Sequence, residues 1–254
     1  MGEGKNIVSK REFSHRKIKR EKEMLLVINY LRKYQEVNNG NILEFGCGDG
    51  FQIPFLKLIS DKVDAIDVIV ENSVSKKYSN IVSAQSIDDT SFKTNQFDLI
   101  FSNHVIEHLE DLQGAVEEMK RIGSDKCIYV FSVPTNIWLL LSIPAQYFRK
   151  IKHFRQHLQK SDNSSANNKN SKNFSFLSKI VPKGHGEYLG FVECYKAFRI
   201  KSWHRLFKSL GFNAVQVEPL LLYSASEFPV CPTTAALSKL NICSSVLFIL
   251  RVSE

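Results

Sequence analysis

The run Asn41-Ile42-Leu43-Glu44-Phe45-Gly46-Cys47-Gly48-Asp49-Gly50 limits the fold of this chain more than any other segment. Residues 42–45 read as a short buried strand. Three glycines at alternate positions follow at once, and a helical pattern occupies 51–59. Strand, tight turn and helix open a βαβ unit. Glycines are required in such a turn because the chain reverses sharply and a ligand must reach the backbone with no Cβ in the way. The spacing is G-x-G-x-G, and Phe51 stands where the dinucleotide-binding G-x-G-x-x-G pattern has its last glycine. Glu44 precedes the first glycine by two positions. A carboxylate there is ill-suited to a pyrophosphate and well suited to an ammonium group.

The alternation continues along the chain. Residues 63–66, 80–84, 97–102 and 127–133 read as strands, with helical patterns at 70–77 and 108–122 between them. This βαβα rhythm predicts an α/β fold with an open, mostly parallel sheet covered on both faces. An amphipathic helix is expected over 10–34, with Phe13, Ile18, Leu25, Ile28 and Leu31 as its apolar stripe. A later helix is expected over 202–210, capped by Ser202 and closed by Gly211, and two late strands over 213–217 and 246–252. The chain divides into a tail and helix (1–39), a ligand-binding half (40–135), a variable insert (136–185) and a C-terminal part of the same sheet (186–254).

Composition matters mainly through its unevenness. The net charge is +8, yet residues 149–183 hold nine Lys/Arg against Asp162 alone, and residues 1–23 are also basic. The remainder is acidic, so two basic appendages sit on an acidic body. Such segments suit anionic partners: a lipid headgroup surface, a phosphorylated substrate or nucleic acid. The polar run 161–173 has nothing to pack with and reads as a disordered loop in a basic lid. Trp138, Tyr147 and Phe148 beside Arg149, Lys150 and Lys152 read equally as a patch for an anionic membrane or as a lid helix with solvated lysines. Five scattered cysteines without a C-x-x-C pair argue against a disulfide framework or a cysteine zinc site and fit a reducing cytoplasm. The N-terminus lacks the apolar stretch of a signal peptide, and the apolar run at 137–145 is far shorter than a membrane span.

The glycine run resembles motif I of class I methyltransferases that use S-adenosylmethionine (SAM). That resemblance implies a Rossmann-like, seven-stranded, mostly parallel sheet and SAM as cofactor. Glu44, Gly46, Cys47, Gly48 and Gly50 then belong to the cofactor site. An acidic residue at the end of the second strand holds the ribose in that family. Asp67 fits this position better than Asp64, which falls inside the strand. The adenine-contacting position aligns to Ser86 with Ile87 beside it, and Asp88 stands close by as a substitute for the usual acid. The segment 96–112 (QFDLIFSNHVIEHLEDL) resembles the motif after the fourth strand in the small-molecule branch of the family. There Asn103 and His104 flank the methionine end of the cofactor and face the acceptor.

Methyl transfer from a sulfonium is an in-line displacement, and an oxygen nucleophile needs its proton removed. His104, Glu107 and His108 have the i, i+3, i+4 spacing of one helical face. Some family members hold a divalent ion on Glu-x-x-Glu-His here. The first carboxylate of that arrangement is His104 in this chain, so no metal is expected; helix capping is the plainer role for His108. The segment KGHGEYLGF resembles the H-G-E-Y feature of methyltransferases of bacterial glycan or lipid-linked metabolism, with His185 as the general base. Tyr195, Trp203 and Phe207 read as core. The expected activity is methylation of a small-molecule, sugar or lipid-linked acceptor at oxygen, in the cytoplasm or at the inner face of a membrane. RNA methylation is disfavoured because Ser102-Asn103-His104 stands where base amino-methylating enzymes carry Asp/Asn-Pro-Pro-Tyr. A SAM-binding scaffold without catalysis is the remaining alternative.

Overall fold

A computed structural model describes residues 10–142, 190–223, 231–232, 237, 240 and 242–253. Its N-terminal helix is α1 (Lys10–Leu31). The sheet strands are β1 (Ile42–Phe45), β2 (Val63–Asp67), β3 (Val82–Ala84), β4 (Phe97–Asn103), β5 (Gly123–Pro134), β6 (Phe212–Pro219) and β9 (Ser245–Val252). Helices α2 (Ile53–Leu56), α3 (Asn72–Lys77), α4 (Leu112–Ile122), α5 (from 136, described to 142), α6 (Phe191–Ala197) and α7 (Ile200–Ser209) join or flank them. A separate two-stranded ribbon pairs β7 (Leu221–Leu222) with β8 (Cys231–Pro232). The main sheet runs β3-β2-β1-β4-β5-β9-β6, with β9 antiparallel to both its neighbours and the other pairs parallel. This is a Rossmann-like, mostly parallel sheet of seven strands. Strand order reverses between β1 and β4, and the carboxyl ends of open α/β strands at such a point form a crevice.

Every residue of β1 is buried, and Leu99 to Ser102 of β4 are buried too. That is why these strands read as apolar runs: a parallel strand covered on both faces has no solvent side to mark with polar residues. Neighbouring side chains divide between two cores. Ile100, Tyr129, Phe131 and Phe248 pack under α4 and α7, whereas Leu99, Phe101, Ile128 and Val130 pack under α1. Trp203 and Phe207 of α7 lie in the first core, and Tyr195 packs against it. The Trp203 indole donates to the Pro134 carbonyl at 2.9 Å, which satisfies the polar handle of a buried ring.

Several local expectations change. The buried stripe of α1 is Met24, Val27, Ile28 and Leu31, an i, i+3, i+4, i+7 set. Ile18 and Leu25, counted in the expected stripe, are exposed. Residues 106–108 form a single 3-10 turn, and α4 starts only at Leu112, with the Asp111 carboxylate accepting from the Gly114 amide at 2.9 Å. Asp111 therefore caps the helix, the role expected of His108. Helix α7 begins at Ile200 behind Arg199, and Ser202 is inside it, its hydroxyl donating back to the Lys196 carbonyl. Most of the expected lid, 143–185, lies outside the described residues, as do the polar run 161–173 and Tyr147, Phe148, Arg149, Lys150 and Lys152.

Candidate active site

The glycine turn is pinned to its neighbour strand. The amides of Gly46 and Cys47 both donate to the Ile66 carbonyl, at 2.8 and 3.1 Å. Gly46 has φ +74°, and a Cβ there would stand 2.2 Å from Cγ2 of Val105. Gly48 has φ +51° with nothing within 4 Å of where its Cβ would be. One glycine is thus required by crowding, and the other leaves an open face. The Gly48 amide donates to Oδ2 of Asp67 at 2.8 Å, and the Ile69 amide donates to Oδ1 at 3.2 Å. Asp67, at the end of β2, is thereby held by the backbone on both oxygens.

A cavity of about 460 Å³ opens beside this turn, within the range of small-molecule sites. Gly46, Asp67, Ser86, Ile87 and His104 line it, and so does Asp88. Glu44, Cys47, Gly48, Gly50, Asn103 and Glu107 do not line it. Cys47 is buried, and burial, aided by the nearby Glu44 and Asp67, pushes its thiol up to about 12, so it is an inert packing group. Sequence reasoning missed Val68 and Gln85 in the wall. Val68 left one signal in the sequence, its place directly after the acidic end of β2.

Glu44 is 1 % exposed, and its Oε2 has no hydrogen-bond partner. Burial pushes its carboxyl up to about 8, reinforced by Asp49 and Asp67 and opposed by Arg20. Five other buried side-chain oxygens among the described residues lack a hydrogen-bond partner: those of Ser102, Asn103, Ser132, Glu107 and Glu23. Ser102, Asn103 and Ser132 lie towards the carboxyl ends of β4 and β5, and Glu107 lies in the turn that follows β4. Buried polar groups are paired as a rule. A concentration of exceptions at the strand-order reversal marks a place built for something else to bind.

His104, the first residue beyond β4, has φ +57°, a strained setting for a side chain of its kind. Its amide donates to the Ser132 carbonyl at 2.9 Å. The ring stands between Glu107 and Glu23, with Nδ1 3.5 Å from Glu107 Oε1 and Nε2 3.8 Å from Glu23 Oε1. The Tyr223 hydroxyl is 3.2 Å from Nε2. The expected closeness of His104 and Glu107 is present, although a 3-10 turn rather than a helix face produces it. Burial by itself would lower the His104 pKa, but Glu107 and Glu23 outweigh it and hold the ring at about 9. Burial likewise works to raise Glu23, and Lys19, His104 and Ser245 bring it down to about 2.

Glu23 arrives from α1, which no local motif linked to the site. The same helix supplies Arg20, whose guanidinium donates to both Asp49 oxygens at 2.7 Å and lies over the Phe51 ring, 4.1 Å from its centroid. That pairing is the main reason the Asp49 carboxyl lies below its ordinary range. Helix α1 thus touches both the glycine turn and the His104 turn. His185 lies outside the described residues.

Comparison with known proteins agrees with this geometry. The family model described as "Methyltransferase domain" matches residues 15–217. No curated protein sequence matches the chain significantly. Among solved structures, a SAM-dependent methyltransferase from Aquifex aeolicus is similar with a TM-score of 0.52 at 11% identity, covering 95% of this chain and 98% of that one. A Thermotoga maritima SAM-dependent methyltransferase, described as a possible histamine N-methyltransferase, gives a TM-score of 0.53 at 14% identity over 94% of each chain. One from Clostridium acetobutylicum gives 0.52 at 11% identity over 92% of each. These identities speak for the fold, and the family match, which spans most of the sequence, speaks for the lineage. The chain belongs to the methyltransferase-domain family and is a class I enzyme that uses S-adenosylmethionine.

Proposed function

We propose that this enzyme methylates an oxygen of a small, sugar-containing or lipid-linked acceptor, with the cofactor held along the carboxyl ends of β1, β2 and β4. The observation that carries the cofactor placement is the buried Glu44 carboxyl with an unpartnered oxygen beside the glycine turn. SAM supplies a sulfonium-bound methyl carbon and leaves as a neutral thioether. In this reading Glu44 accepts from the amino group of the methionine end, and Gly46, Gly48 and Gly50 let that end approach the backbone. Asp67, fixed by the Gly48 and Ile69 amides, takes the ribose hydroxyls. Ser86 and Ile87 flank the adenine, with Asp88 beside them. Asn103 marks the methionine end. His104 and Glu107 form the polar wall that orients the acceptor, and His185 removes its proton.

The choice of oxygen rests on the buried, polar character of that wall and on the resemblance of KGHGEYLGF to glycan- and lipid-associated enzymes. The basic segment 149–183 suits an acceptor or membrane surface carrying phosphate. Among the described residues no helix is long and apolar enough to cross a membrane, so any membrane contact is peripheral in this reading. The test is calorimetric titration with S-adenosylhomocysteine on the wild type and on Asp67→Ala. Micromolar binding that the variant loses supports the cofactor placement, and no binding by folded wild type refutes it. Transfer of a labelled methyl group to hydroxyl-bearing lipid-linked sugars, set against amine acceptors, then tests the oxygen assignment.

A further inference from the structure

We propose that α1 completes the methyl-transfer site through Glu23, a positioning residue that brackets the His104 ring together with Glu107, so that His104 serves as a fixed cation and not as the base that deprotonates the acceptor. This rests on the cofactor and transfer site proposed above.

The geometry carries the inference. Each ring nitrogen of His104 faces a carboxylate: Nδ1 faces Glu107 Oε1 at 3.5 Å, and Nε2 faces Glu23 Oε1 at 3.8 Å. A neutral imidazole has one bare nitrogen: a bare Nδ1 would face the Glu107 carboxylate, whereas a bare Nε2 has the Tyr223 hydroxyl within donating distance. A carboxylate within 4 Å of each nitrogen favours the doubly protonated ring over either neutral tautomer. The Tyr223 hydroxyl, 3.2 Å from Nε2, accepts from the protonated ring in this proposal. The ring is also held in place. The His104 backbone is fixed at a positive φ by its bond to Ser132, and Glu23 is fixed by the Ser245 hydroxyl and by Lys19, whose Nζ lies 3.8 Å from Oε2. Lys19 in turn rests 3.8 Å from the centroid of the Tyr223 ring.

The charged and titratable groups facing His104 are thus Lys19 and Glu23 from α1, Glu107 from the 3-10 turn, and Tyr223 beyond β7. Two carboxylates balance Lys19 and the imidazolium, so the cluster is close to neutral as a whole, and a charge is tolerated on the partly buried His104 ring. In the transfer step the acceptor lone pair forms the new bond to the methyl carbon, and the carbon–sulfur pair returns to sulfur. The acceptor proton goes to His185, the base assigned in the proposed function, and not to His104.

The test is a histidine-ring NMR titration of the full chain, with the His104 signals assigned by His104→Asn. In the wild type we expect a midpoint near 9. In Glu23→Gln, which keeps the shape and the Ser245 contact, the midpoint should fall by at least about one unit towards the ordinary value near 6.5. A wild-type midpoint at or below about 6.5, or a midpoint unmoved in folded Glu23→Gln, overturns the proposal. If Glu23→Gln fails to fold, Glu107→Gln must produce the same fall, and the wild-type midpoint decides if neither variant folds. S-adenosylhomocysteine calorimetry on the same samples keeps the two readings apart. Failure of wild type to bind counts against the cofactor site, whereas the His104 titration judges Glu23.

Discussion

Binding of S-adenosylhomocysteine to this chain should release a proton, and Glu44 is its source. With a carboxyl held up to about 8, roughly nine in ten molecules carry the proton on Glu44 at pH 7. The ammonium of the ligand requires the carboxylate, because a protonated acid offers a donor where an acceptor is needed. Close to one proton per site (about 0.9) therefore leaves on binding at pH 7. The apparent dissociation constant should fall about tenfold per pH unit between roughly pH 5.5 and 7.5 and level off above 8. Titration calorimetry in two buffers of different ionisation enthalpy counts the proton directly. In Glu44→Gln the release should vanish. Loss of a charge-assisted hydrogen bond worth about 2 kcal/mol should weaken binding roughly thirtyfold above pH 8, where wild-type Glu44 is ionised, and only about threefold at pH 7, where wild type must first lose the proton. If folded wild type binds without net proton exchange at pH 7, Glu44 is either ionised already or not the partner of the ammonium, and the reasoning from its burial fails.

The remaining expectations concern stability. Gly46→Ala should cost about 2 kcal/mol or more, from its φ of +74° and from a Cβ 2.2 Å from Val105; chemical denaturation measures it, and Val105→Ala in the same chain should restore part of the loss. Without ligand, the thermal midpoint should fall as pH rises from about 6.5 to 8, and two groups act in the same direction. His104 is raised to about 9, so its stabilisation is complete below the unfolded value near 6.5 and is lost on approaching 9. Glu44 is raised to about 8, so the folded chain binds the extra proton between the unfolded carboxyl value and 8 and loses stability as that proton leaves. Each contributes at most about 1.4 kcal/mol per pH unit; a flat profile over that window would count against both. Trp203→Ala should cost about 3–5 kcal/mol, because it empties a core position and leaves the Pro134 carbonyl unpaired.

The sheet was legible because its strands are parallel and doubly covered. Residues 42–45 and 97–102 could be read as strands since burial on both faces leaves a mostly apolar run, and Asp67 could be placed because a βαβ unit fixes the distance from the glycine turn to the end of β2. Local competition defeated other readings. Ser202 looked like a cap, yet its hydroxyl bonds backward to Lys196 inside the helix, and His104-x-x-Glu107-His108 looked like a helical face, yet Asp111 starts the helix further on. The apolar stripe of α1 was read correctly at Ile28 and Leu31 but not at Ile18 and Leu25, which fall off the helical period that Met24, Val27, Ile28 and Leu31 follow. Glu23 was invisible for a different reason. In sequence it is one charge among many on a basic helix, and its partners His104 and Ser245 come from other parts of the chain.

That last contact joins residues 222 positions apart, with the Ser245 hydroxyl on the Glu23 carboxylate. Closing so long a loop is among the slower entropic tasks of folding, and it yields nothing until β9 has slotted between β5 and β6. The glycine turn, β2 and the Asp67 contact, by contrast, need only neighbours within some thirty residues. The contacts that shape the glycine turn are thus local in sequence, whereas those that hold His104 draw on both ends of the described chain. In the proposed reading, the corner that holds the cofactor is a local construction and the alignment of His104 a global one, which only the complete sheet supplies.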